Sequence, residues 1–136
     1  MNRWQTERRE QLIFGRNFDR AYYAPGGLAY FDHLDVGVVR KLFEEGFFDL
    51  DRKYQGAPSV EEMIRFCLEN DEDDEKMWYF HGFSISPERI DCRVTIEGMG
   101  SYKKPSKQGR ERFYELHQNA SVLSDRQEET CYCWYD

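Results

Sequence analysis

Acid–base work near neutral pH calls first for histidine, and the chain offers His33, His81 and His117. His81 lies within MWYFHGFSIS, where a hydrogen-bonded core imidazole is the expectation. His33 stands just ahead of one apolar helical pattern, and His117 near the end of another. None belongs to an H-x-x-x-H or H-E-x-x-H spacing, which would set two imidazoles on one helix face around a metal ion. The four cysteines, Cys67, Cys92, Cys131 and Cys133, do not supply such a site either. Zinc ligands usually come in pairs from C-x2-C-type turns, whereas Cys131-Tyr132-Cys133 is C-x-C. Free reduced thiols, with no metal and no cofactor, are expected. Nucleophile and phosphate motifs are missing as well. G-x-S-x-G does not occur, and Pro25-Gly26-Gly27 and Gly98-Met99-Gly100 lack the spacing of a phosphate-cradling loop, so both read as turns at strand ends.

Carboxylates are the most concentrated chemistry. In Glu69-Asn70-Asp71-Glu72-Asp73-Asp74-Glu75 the residues Asp71, Asp73 and Glu75 alternate as calcium ligands do, but the central Gly and distal Glu of an EF-hand loop are missing. A solvated acidic lobe is expected instead, with Glu69, Asp71, Asp73 and Asp74 offering charge to a partner. Residues 32–75 carry 14 acidic and 5 basic side chains, or −9, whereas residues 76–136 carry 9 of each. The net charge of −7 argues against non-specific nucleic-acid binding.

The elements that must position these groups are marked locally. Asp35 is a reasonable N-cap for VGVVRKLFEE, whose stripe is Val38, Val39, Leu42 and Phe43, and Gly46 is placed as its C′ residue. Ser59 and Glu62 form a capping box before Val60, Met63, Ile64, Cys67 and Leu68, which recur at helical spacing. A third helix is expected over about Gln108–Gln118, with Phe113 and Leu116 inside, after the basic loop Tyr102–Lys107. Near the start, AYYAPGGLAYF reads as two short extended runs around a turn. The opening dozen residues offer only a marginal helix on Trp4, Gln11 and Leu12, and residues 1–20 are expected to be a mobile segment. At the other end, EETCYCWYD reads as a strand with Cys131 and Cys133 on one side and Tyr132 and Trp134 on the other.

MWYFHGFSIS and DCRVTIEGM form a central hairpin, about 77–86 and 91–99, through Pro87-Glu88-Arg89-Ile90. Pairing Ser86 with Asp91 puts Tyr79, His81, Phe83 and Ile85 on the core face with Cys92, Val94 and Ile96. Trp78, Phe80, Arg93, Thr95 and Glu97 then share the opposite face, an aromatic and charged surface that is the expected binding site. A slip of one residue would exchange the faces of one strand relative to the other. Together with a C-terminal strand at about 130–135, this predicts a single α+β domain over 1–136: a small, mainly antiparallel sheet with two or three helices on one face.

Aromatic residues make up 16% of the chain, enough to build a folded core despite a charged fraction of 33%. No apolar run approaches the length of a membrane span, and MNRWQTERREQ lacks the apolar stretch of a secretory signal, so a cytoplasmic location is expected. The leading expectation is a small, acidic, non-enzymatic binding module whose protein partner has a basic surface, such as an inhibitor or neutraliser of a basic, nucleic-acid-handling protein. A second reading is an enzyme using His81 as acid or base, with Glu97 and Arg93 orienting the substrate. A third is a nucleotide or single-stranded nucleic-acid binder through Trp78, Phe80, Arg93 and the basic segment 103–112.

Overall fold

The computed structural model describes residues 3–15, 23, 25–49, 54–71, 76–124 and 130–135. Within them the chain forms α1 (Arg3–Phe14), β1 (Leu28–Asp35), α2 (Val36–Glu44), α3 (Val60–Glu69), β2 (Trp78–Ile85), β3 (Val94–Ser101), α4 (Lys107–Leu116), β4 (Val122–Ser124) and β5 (Tyr132–Trp134). The strands make one antiparallel sheet in the order β1-β2-β3-β5-β4, and with the helices this is the expected α+β fold. Ile13, Val39, Leu42, Met63, Ile64, Phe66 and Phe113 from the four helices share one core with Trp78, Phe80, Val94, Ile96 and Met99 of the sheet. The helices therefore lie over one face. No described helix is long and apolar enough to cross a membrane.

Local chemistry sets the helix ends. At the end of α2, Gly46 takes a φ of +78°, the Phe47 N–H donates to the Leu42 carbonyl (3.0 Å) and the Gly46 N–H to that of Phe43 (3.1 Å). The capping box of α3 is formed: the Glu62 N–H donates to Ser59 Oγ at 3.1 Å, and the Ser59 N–H reaches back to Glu62 Oε1. Phe66 turns inward in place of Leu68, which is exposed, because Phe66 packs edge-on against Trp78 and Phe113. In α4, Phe113 is buried as expected and stacks on Trp78, with centroids 5.5 Å apart.

Residues 3–14 form a helix whose inner face is not the expected one. Trp4 is exposed, whereas Thr6, Arg9, Glu10 and Ile13 are buried. The Arg9 guanidinium donates to the Ile85 carbonyl (2.9 Å), the Tyr23 hydroxyl (3.3 Å) and Cys92 Sγ (3.2 Å). Tyr23 in turn contacts Glu10 and Ser84. Polar bonds seat a helix that has almost no apolar stripe.

The central hairpin departs from the expected register. Ser84 faces Val94 and Phe83 faces Thr95, one residue away from the expected pairing. A bulge at Glu97 adds another residue, so that His81 faces Gly98 and Trp78 faces Ser101. Ser86 donates to Gly27 rather than pairing with Asp91, and the connection spans 86–93. It is clamped by Arg89, bidentate on Asp91 at 2.8 and 2.7 Å and bonded to the Gly26 carbonyl. The slip puts Trp78 and Phe80 on the helix-covered face with Val94 and Ile96, and turns Tyr79, His81 and Phe83 to the other.

Candidate functional site

Strand alternation gathers a continuous aromatic surface on the face away from the helices. His81 stacks on Trp134 (centroids 4.8 Å, planes 7° apart) and on Tyr132 (5.2 Å, 17°), and its Nε2 lies 2.8 Å from the Cys133 carbonyl. Tyr30 meets Phe83 at 5.6 Å and Trp134 at 6.2 Å. Tyr79 stacks under His33 at 4.2 Å and meets Tyr102 at 5.0 Å. These rings can lie flat across β3 because Gly98 and Gly100 have no side chains. A Cβ at Gly98 would collide with the His81 imidazole and the Cys133 carbonyl, and one at Gly100 with the Tyr79 phenol. His81 and Tyr79 are consequently buried, while Tyr30 and Tyr102 remain 48% and 39% exposed.

One corner of this face carries both rings and carboxylates. His33 sits in a bulge of β1 with a φ of +52°, a conformation costly for a non-glycine residue and often found at functional positions. Asp32 braces it, accepting the His33 N–H at 2.8 Å and lying 3.2 Å from its Nδ1. The Tyr102 hydroxyl donates to the His33 carbonyl at 3.3 Å, and Asp35 Oδ1 is 3.5 Å away. Partial burial, with the Asp35 carboxylate adding to it, holds the Tyr102 phenol above its usual range. Asp35 occupies the N-cap of α2 without capping it, and its carboxylate binds Lys76 at 2.8 Å instead. The Trp78 indole N–H donates to the Asn70 carbonyl at 3.0 Å, which ties the end of α3 to the start of β2. The exposed Glu69 and Asp71 thereby stand next to the start of β2 on its helix-covered side, across the sheet from the rings of this corner.

The residues expected to form one site are separated. Trp78 and Phe80 are buried beneath the helices, a direct result of the slipped register. Thr95 and Glu97 are together, Thr95 Oγ1 donating to Glu97 Oε1 at 3.3 Å, but Glu97 is buried in the bulge. Arg93 lies at the opposite end of β3 from the corner, where it donates to the Asp91 carbonyl at 3.0 Å. His81 is enclosed between rings, so the geometry does not gather His81, Glu97 and Arg93 around one open point. In the basic segment, Arg112 holds Asn70 at 3.2 Å and Arg110 lies over Tyr114. Asp73 and Asp74 lie outside the described residues. Among the described residues no three metal-ligating side chains converge. The sequence reading missed Tyr30, Asp32, Asp35 and Tyr102. Their signal is the period-two alternation of Tyr79, His81 and Phe83, which marks a second aromatic face as well as the first.

A cavity of about 610 Å³ opens on the helix side, between the end of α2 and the starts of α3 and β3. Phe48, Tyr54, Met63, Val94, Ile96 and Tyr135 are among its walls.

Comparison with known proteins returns nothing: no family model, curated protein or solved structure matches the chain. The functional reading rests on the geometry.

Proposed function

We propose that the protein is a non-enzymatic binding module that takes the basic side chains of a protein partner at the corner formed by Tyr102, His33 and Tyr79. The observation that carries this is the meeting of exposed rings with two carboxylates: Asp32, which braces His33, and Asp35, 3.5 Å from the Tyr102 hydroxyl. An arginine or lysine laid on an exposed aromatic face gains about 0.5–1 kcal/mol, and the carboxylates add charge-assisted bonds. Lys76 already occupies one of them, reaching Asp35 from solvent. The net charge of −7 steers a basic partner toward the molecule from a distance. An inhibitor or neutraliser of a basic, nucleic-acid-handling protein is the form of activity this chemistry suits. The same rings could stack nucleobases, but carboxylates at their rim repel phosphates, so the protein partner is favoured.

Calorimetric titration with an arginine-rich peptide tests the reading. Binding should weaken steeply with added salt. The pair Asp32→Lys and Asp35→Lys should cost about tenfold in affinity, equivalent to about 1.4 kcal/mol, with the thermal midpoint little changed. Binding that is indifferent to salt and to both substitutions would overturn it.

A further inference from the structure

The cavity between α2, α3 and β3 lies on the other side of the sheet from the aromatic corner, and it makes a separate case. We infer that it binds a small, neutral, planar aromatic molecule. Its volume of about 610 Å³ falls in the range of small-ligand sites, roughly 300–1,000 Å³. Its shape is set by rings. Tyr54 and Tyr135 both line it, their planes only 14° apart with centroids 6.4 Å apart, and Phe48 adds a third ring from the bridge to β3. Aromatic walls attract a flat ring by dispersion and by quadrupole complementarity, and the Met63 thioether favours a ring nearby. Val94 and Ile96 close the floor with apolar surface.

Charge selects a neutral guest. Arg93 lines the cavity but is bonded to Asp91, and Glu61 at the mouth is 3.6 Å from Arg65. Asp49 is exposed at the rim. The walls thus offer an ion of neither sign an uncommitted, buried partner. The inference does not depend on the basic-partner reading.

The test is an NMR amide-shift titration with indole, using cyclohexanol as a nonplanar control of comparable bulk. Indole should shift the amides of Tyr54, Met63 and Val94–Ile96 in a saturable way, and cyclohexanol should bind at least about tenfold more weakly. Tyr54→Leu, which removes the ring while keeping apolar bulk, should weaken indole binding by a similar factor, and Tyr54→Phe should restore it. The restored affinity in Tyr54→Phe separates loss of stacking from loss of fold. The inference is overturned if indole leaves these amides unmoved, if cyclohexanol binds equally well, or if Tyr54→Leu binds indole like the original chain.

Discussion

Phe80→Ala and Phe83→Ala distinguish the two possible faces of β2. Phe80 is fully buried, flanked in the sheet by Leu34 and Met99 and roofed by the helical core. Truncation should remove its transfer energy and leave a cavity in a core that can relax only in part, for a loss of about 3–5 kcal/mol. For a chain of this length, 1 kcal/mol corresponds to roughly 3–5 °C, so the melting midpoint should fall by roughly 10–20 °C. Phe83 is only half-buried, on the aromatic face beside Tyr30 and Trp134. Its truncation should cost roughly 1–2 kcal/mol, since part of its surface is in water already. Urea unfolding of the two variants, followed by circular dichroism, measures both losses. In the register with Ser86 opposite Asp91 the order reverses, because Phe83 would be in the core and Phe80 outside. A greater loss for Phe83→Ala would refute the slipped register and, with it, the aromatic face.

Two further outcomes follow from buried titratable groups. Burial, with a smaller contribution from His81, pushes His117 down to about 3, so it is neutral in the folded protein. Its Nε2 faces Met99 Sδ, which can only accept, so Nδ1 accepts from the Tyr135 hydroxyl at 2.9 Å. Because the unfolded chain protonates first, with an ordinary imidazole value near ~6.5, stability present above that pH is lost as pH falls toward 3. The loss should reach about 2 kcal/mol between pH 6.5 and 5, and His117→Gln should flatten that slope in urea unfolding; an unchanged slope would exclude His117 as its source. Among the thiols, Cys67, Cys131 and Cys133 are buried, and desolvation pushes Cys133 up to about 12. An aromatic disulfide reagent should therefore modify Cys92, which is half-buried, well before the other three in the native state. Simultaneous modification of all four would contradict this core.

Helices α2, α3 and α4 were legible because their signals are local. The Ser59–Glu62 box, the Gly46 stop and the Phe113 position depend on neighbours within a turn, and each is where the pattern places it. The hairpin register was not legible, because β2 is aromatic on both faces and alternation cannot choose between them. What decides it is nonlocal: Arg89 reaching the Gly26 carbonyl, and Gly98 and Gly100 admitting the rings of the neighbouring strand. The inner face of α1 was hidden for a related reason. Arg9 and Glu10 read as surface residues, and only their tertiary partners Ile85 and Tyr23 make their burial tolerable. Of the expected site, the carboxylates Glu69 and Asp71 are exposed as anticipated, but the aromatic part moved to residues of the opposite face.

The claim that basic side chains are taken at the aromatic corner is tested most directly by mapping where an arginine-rich peptide touches the molecule. In an NMR titration the amides of residues 30–35, 76–79 and 100–103 should shift together and saturate, and the shifts should fade as salt is added. Shifts confined to the α2–α3 side, with the corner unmoved, would contradict the account.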